Sequence, residues 1–296
     1  MKHFFFFLLF CEASLLSAQT FSFKEPASTD TVGYSKMVVV YQYVCKTIDE
    51  NDLPVSDSLL IALQIGDEMW KSFPYGRYQK QQDSKFNPLD CMYLEAMMHV
   101  PTIFIDNVNR KIIAREAISA TCFESEEKKP NYNWSLSADN ANVLDYECQN
   151  ASCNFHGKEW HVLFSEEIPV SAGPWKLGGL PGLIMKAEDE DGAHSFEAVQ
   201  IFMEEAPITF ERYYMVKHFT LQGDLVKRYD FVKKSPKQMI SLRKSVFGHK
   251  NYPNDPMLFV APGGYSEFRY GDTYDVNIIN GVVVPTTAHK FQPLEN

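Results

Sequence analysis

Val143-Leu144-Asp145-Tyr146-Glu147-Cys148-Gln149-Asn150-Ala151-Ser152-Cys153-Asn154-Phe155 is followed by the turn His156-Gly157-Lys158. Glu159-Trp160-His161-Val162-Leu163-Phe164-Ser165 comes next. Alternating apolar and polar residues on both sides of a short glycine-containing turn predict two antiparallel strands joined as a hairpin.

The same pattern recurs in both directions. Met37 to Cys45 is rich in Val and Tyr and predicts a strand covered on both faces. Leu59, Ile61, Leu63 and Ile65 share one face of the next. Ile103–Ile105 and Ile112–Ile118 flank the turn Asp106-Asn107-Val108-Asn109, and Leu183–Ala187 and Ser195–Met203 flank the acidic run Glu188 to Gly192. Tyr213–Leu221 and Leu225–Val232 flank Gln222-Gly223-Asp224, and Val276–Ile279 and Val282–Val284 flank Asn280-Gly281, a strong two-residue hairpin signal. Ser235-Pro236-Lys237-Gln238 reads as a capping box, with Met239, Leu242 and Val246 at helical spacing and Gly248 as the stop. A second helix is expected between Leu89 and His99. The expected fold is therefore mainly β (α+β). It is a single domain built on a curled antiparallel sheet or half-barrel, with one or two packed helices.

Between the central hairpin and the next strand lies a loop rich in Gly and Pro. It runs through Glu166-Glu167-Ile168-Pro169-Val170 and Gly173-Pro174-Trp175-Lys176-Leu177-Gly178 to Gly179-Leu180-Pro181-Gly182-Leu183-Ile184. Its glycines let the backbone approach the sheet, and Trp175, Leu177, Leu180 and Leu183 are expected to plug one end of the core. A strand follows rather than a Lys-Ser/Thr helix start, which argues against phosphate cradling. The stretch resembles the signature of the GLPGLI family, upstream as far as Tyr146-Glu147-Cys148, and Ser72-Phe73 and Pro293-Leu294-Glu295 also match. Members are exported proteins of Bacteroidota, mostly of unknown function. The resemblance implies structural roles for Gly173, Pro174, Gly179, Leu180, Pro181, Gly182, Leu183 and Ile184, and supplies no catalytic residues.

Lys2, the apolar run from Phe4 to Phe10 and Ser17-Ala18-Gln19 read as a signal peptide over residues 1–18, leaving a β-rich domain over 19–296. Phe10 before Cys11 is not what a lipid-anchor site needs. No later segment has the ~20 apolar residues of a membrane helix. The expected location is the periplasm, with secretion or surface display as alternatives. A net charge of −10 disfavours nucleic acid as a partner. Cys45, Cys91, Cys122, Cys148 and Cys153 are an odd set in a compartment that oxidises thiols, so disulfides are possible and one thiol stays unpaired. Cys148 and Cys153, five apart on one strand, point to opposite faces.

The sequence contains no Gly-x-Ser-x-Gly elbow and no His-Glu-x-x-His pair, and no protease signature surrounds a cysteine. The first expectation is a non-enzymatic binding or accessory domain without a cofactor, holding a small apolar ligand on a concave sheet or meeting an envelope protein. Trp160 and Trp175 are its candidate binding residues. The alternatives are a structural subunit of a surface complex and a metal-handling protein or metal-dependent enzyme. His156, Glu159 and His161 are the candidate metal ligands, against the simpler account of a solvated turn. Met97-Met98-His99 beside Cys91 reads as core before soft-metal site. Glu188 to Gly192 lacks calcium-loop spacing and reads as a solvated turn. Asn133-Trp134-Ser135 and Asn150-Ala151-Ser152 fit the N-glycosylation pattern, and Asp30-Thr31-Val32 and Asp57-Ser58-Leu59 resemble Bacteroidota O-glycosylation sites.

Overall fold

The computed structural model describes residues 28–48, 52–82, 100–118, 121–212, 214–216, 226–228, 231–247, 256–261, 264–269, 272–279, 282–290 and 292–296. The signal segment, the Leu89–His99 helix, Gly248 and the turns at 222–224 and 280–281 lie outside these residues. Among the described residues no helix is long and apolar enough to cross a membrane.

Nineteen strands and two helices are described. The strands of the main sheet are β1 (Ser28–Ile48), β2 (Pro54–Gly66), β3 (Met69–Pro74), β4 (Thr102–Asp106), β5 (Lys111–Ile118) and β6 (Thr121–Lys128), then β7 (Ser135–Val143), β8 (Tyr146–Phe155), β9 (Lys158–Ser165), β10 (Leu183–Asp189), β11 (His194–Phe202), β12 (Pro207–Arg212) and β15 (Val232–Lys234). Their order is β15-β6-β5-β4-β3-β2-β1-β11-β10-β9-β8-β7, with β12 also on β1. Every pairing is antiparallel except β15 on β6. The remaining strands form three two-stranded pairs: β13 (Tyr214–Val216) with β14 (Val226–Arg228), β16 (Pro256–Ala261) with β17 (Gly264–Arg269), and β18 (Asp272–Ile279) with β19 (Val282–Lys290). Ile279 pairs with Val282, as a two-residue turn requires.

β1 is the axis of the sheet. It is 21 residues long, and Ser35–Ile48 pair with β2 along one edge. The other edge is shared: β12 takes Ser28–Tyr34 and β11 takes Val38–Cys45. Buried Ser35 stitches the changeover by donating from its N to Ala206 O at 2.8 Å and from its Oγ to Glu204 O at 3.0 Å. Val39, Tyr41 and Tyr43 enter the main core, while Val38 enters a second cluster on the opposite face with Ala62, Phe73 and Tyr78. Both faces of this strand are covered, as its apolar run predicts.

The sheet curls strongly without closing. β6 and β7 are ten strands apart in the sheet order, about 48 Å if it were flat. Residues 129–134 nevertheless join them, and a chain of that length reaches only about 25 Å. Trp175 confirms the curvature. Its N donates to Ser72 Oγ on β3 at 3.2 Å, and its ring lies 5.6 Å from that of Trp160 on β9, five strands away.

The concavity is occupied. Ile168, Ala172, Trp175, Leu177 and Leu180 of the Gly/Pro-rich loop are buried in one cluster with Tyr41, Leu63, Ile103, Trp160 and Phe164. This realises the plug expected from the loop. It also corrects the idea of an apolar ligand on the concave sheet, because among the described residues the chain's own loop fills that face.

The capping box forms as predicted at α2 (Pro236–Phe247). Ser235 N donates to Gln238 Oε1 at 2.9 Å, and Gln238 N donates to Ser235 Oγ at 3.3 Å. α1 (Tyr75–Gln82) was not expected; it follows β3 directly and buries Tyr78 against Phe73. The stretch read as one strand from Val143 to Phe155 is two. Leu144 and Asp145 have φ of 51° and 66° and form the bend between β7 and β8. Two positive φ values suit a tight hairpin turn, but the usual Asn-Gly or Asp-Gly pair is absent, so composition does not mark it.

The tail, residues 292–296, docks on the same domain. Leu294 is buried, and Asn296 N donates to His156 O at 3.0 Å. His194 Nε2 lies 3.0 Å from Pro293 O, and its Nδ1 lies 2.8 Å from the Tyr43 hydroxyl. A carbonyl only accepts, so Nε2 carries the proton and neutral Nδ1 accepts from Tyr43.

Candidate functional site

The loop of residues 166–182 is held by two constraints. Gly182 passes so close to β9 that an added Cβ would lie 2.0 Å from Ser165 O, so only glycine fits. Gly179, at φ +87°, rests on Tyr132, and a Cβ there would meet its ring at 2.6 Å. From above, the Tyr132 hydroxyl donates to Lys176 O, and Trp134 Nε1 donates to Gly178 O at 2.9 Å. The crossing segment 129–134 is thus bonded to the loop that it covers.

Charges lock the same region from inside. Lys176, 1% exposed, contacts Glu295 and lies 2.6 Å from Glu127 Oε1. Arg243 of α2 reaches Glu295 at 2.7 Å and Glu116 of β5 at 2.5 Å. His156 Nε2 is 3.3 Å from Glu127 Oε2. His156 follows β8 in the turn and Glu127 lies on β6, nine strands from β8, so side chains bridge the gap that backbone pairing leaves open. Burial opposes ionisation of Glu295, yet Lys176, Arg243 and His156 outweigh it and hold its pKa at about 2. Burial likewise opposes ionisation of Glu127, and His156 and Lys176 hold its carboxyl below the usual range. Burial disfavours the charge on Arg243, but Glu116 and Glu295 raise its pKa further.

The proposed ligand trio does not assemble. His161 is exposed, with its Nε2 3.9 Å from Glu159 Oε1, while His156 turns to Glu127 and Glu295. Strand alternation separates them: Lys158, Trp160 and Val162 of β9 face the core, and Glu159 and His161 face away. Among the described residues, the three side chains spaced for a metal are Glu127, His156 and Glu295. Lys176 already sits against both carboxylates, so its ammonium supplies the positive charge a metal would bring.

Trp160 and Trp175 are core residues, 0% and 2% exposed, and cannot meet a ligand from solvent in this conformation. The acidic turn is not wholly solvated either: Asp189 is buried, 2.5 Å from Lys158 Nζ, and accepts from His194 N at 2.8 Å. Cys45, Cys148 and Cys153 are buried free thiols. Burial pushes Cys45 and Cys153 up to about 12, which keeps them protonated and unreactive. Cys91 lies outside the described residues, as does the Cys122 side chain.

The open feature lies above the loop. A cleft of about 500 Å³ is lined by Arg110, Lys129, Tyr132, Trp134, Leu136 and Gly179–Pro181, with Pro130, Asn131, Asn133 and Ser171 completing it. The lining includes no Asp or Glu. Lys129 N donates to Arg110 O at 2.8 Å, so the backbone sets the two cations side by side. Lys129 Nζ donates to Asn107 Oδ1 at 2.7 Å and lies 4.6 Å from the Trp70 ring centroid. Burial, then the charge on Arg110, lowers its pKa. Arg110 closes the β4–β5 turn at φ 52°, a conformation that costs a non-glycine residue ~1–2 kcal/mol. Asn133, at φ 52°, tolerates it better.

Sequence reasoning marked Gly179, Leu180 and Pro181 as structural and missed Arg110, Lys129, Tyr132 and Leu136. Asn133-Trp134 was noticed only as part of a glycosylation pattern, and nothing in a linear reading brings Arg110 to Lys129.

No model of a known protein family matches this chain, and no curated relative does. Solved structures of PNGF-II in two crystal forms match over 71% of this chain at 12% identity and a TM-score of 0.41. The chain spans about a third of their length, 33% and 32%. Likeness at that level carries no argument.

Proposed function

We propose that this chain is a non-catalytic binding or accessory domain of the GLPGLI type, exported to the cell envelope, which takes its ligand in the cleft over the signature loop. One observation carries the reading: Gly179 and Pro181, exposed on either side of the buried Leu180 in the signature loop, line the open cleft with it. The signature then has two jobs, filling the concave sheet from one side and offering a rigid lining on the other. Preformed concave sites with a few polar groups are the usual form of a small-molecule site. The burial of Cys45, Cys148 and Cys153 argues against catalysis by these three thiols.

Native mass spectrometry of the protein isolated from its own envelope tests this. The expected spectrum shows a stoichiometric adduct that Leu136→Trp removes; Leu136 is 63% exposed on β7 and its replacement fills the cleft without entering the core. An apo mass alone, or an adduct that survives the substitution, overturns the cleft as the binding site.

A further inference from the structure

We infer that the cleft selects a small ligand bearing an oxyanion, a carboxylate or phosphate, on a ring-sized apolar or sugar-like body. This rests on the cleft being the binding site, and adds the chemistry it recognises.

The charge pattern points there. The protein carries a net charge of −10, yet the cleft brings in Arg110 and Lys129 and no acid. Arg110 is exposed and Lys129 half-buried. Four buried or half-buried cations elsewhere in the domain, Lys158, Lys176, Arg115 and Arg243, each meet a carboxylate within 2.7 Å. Lys129 instead rests on an amide oxygen and an indole face, and among the described residues Arg110 has no carboxylate partner. Two like charges held together by a backbone hydrogen bond repel unless an anion joins them. A planar guanidinium matches the oxygens of a carboxylate or phosphate, and the Lys129 ammonium, held by Asn107 and Trp70, adds positive charge close by.

The remaining walls describe the body of the ligand. Tyr132 and Trp134 stack at 5.8 Å and form one wall, and Leu136, Leu180 and Pro181 add apolar surface. Asn131 and Asn133 are exposed at the mouth and bring amide donors and acceptors. Arg110 occupies a backbone position that glycine would fill with less strain. Keeping a long cationic side chain there is consistent with a use for the side chain.

The test is calorimetric titration of the full mature chain with matched probes: benzoate and phenyl phosphate against benzyl alcohol, and glucuronate against glucose. The expected result is binding of at least one charged probe about tenfold or more tighter than its neutral match. The preference should shrink as salt is added, and the better probe identifies the carboxylate or the phosphate. Arg110→Asn, which suits the positive φ, combined with Lys129→Gln, should abolish the preference at unchanged melting temperature. Leu136→Trp should remove binding of charged and neutral probes alike. Equal binding of matched probes, a preference that survives the double substitution, or no binding of any probe at millimolar concentration overturns the anion inference. An adduct in native spectra that Leu136→Trp removes would leave the cleft as the binding site even then.

Discussion

Lys176 and Glu295, 119 residues apart in sequence, form a buried ion pair at the centre of the domain. Lys176 belongs to the signature loop, Glu295 to the docked tail, and Arg243 joins them from α2. One carboxylate therefore ties loop, tail and helix together. A buried pair of this kind adds little over an apolar replacement but becomes costly when one partner is removed.

Glu295→Gln leaves two buried cations short of a counter-charge. The expected loss is ~3–5 kcal/mol of unfolding free energy in urea titration. Lys176→Met alone should cost a similar amount, and the double substitution should recover part of it. Additive losses would show that the two residues do not act as a unit.

Acid should unfold the protein in two stages. Burial, then the charge on Lys158, lowers the His194 pKa from 6.5 to about 4. Between those values the unfolded chain takes up a proton that the folded chain refuses, so stability falls as pH drops from 6.5 to 4. Glu295, lowered from 4.5 to about 2, keeps its contribution above pH 4.5 and loses it between 4.5 and 2. Each stage is of order 3 kcal/mol. Urea melts across pH should show both slopes, and His194→Gln should flatten the upper one alone.

Gly182→Ala should be among the most damaging small substitutions in the chain. The new methyl would meet backbone at 2.0 Å, whereas at Gly33 the nearest atom would be 3.6 Å away. The expected cost is about 3 kcal/mol or more at Gly182, against little change for Gly33→Ala. Comparable urea midpoints for the two variants would mean that the loop can shift.

Cys45, Cys148 and Cys153 should resist a thiol reagent in the native protein and react in urea. Peptide mapping by mass spectrometry reads each site separately. Labelling of Cys45 within minutes under native conditions would contradict its burial.

Much of the sheet was legible because alternation reports burial directly. Met37–Cys45 has apolar residues on both phases, and both faces are covered. Ser235 and Gln238 announce α2 because a capping box is a local device. The β7–β8 bend was not legible, since Leu144 and Asp145 hold a positive φ that their side chains do not favour. The cleft was illegible for another reason. Arg110 meets Lys129 only through strand pairing, and His156 meets Glu127 only because the sheet curls. The metal trio failed because His156 lies in the turn after β8 at φ 50° and turns to Glu127, while Glu159 and His161 share the face of β9 that points away from the core.

The placement of β1 bears on how the chain assembles. β2 follows it at once, but its other edge waits for residues 194 to 212, some 160 positions later. Contacts so distant in sequence form late, because the intervening chain must first lose its freedom. Until they form, the longest strand, with its apolar run Met37–Cys45, presents an open edge able to pair with another molecule. Refolding should therefore be slow and should yield more aggregate as protein concentration rises, a hazard that ends once β11 and β12 close that edge.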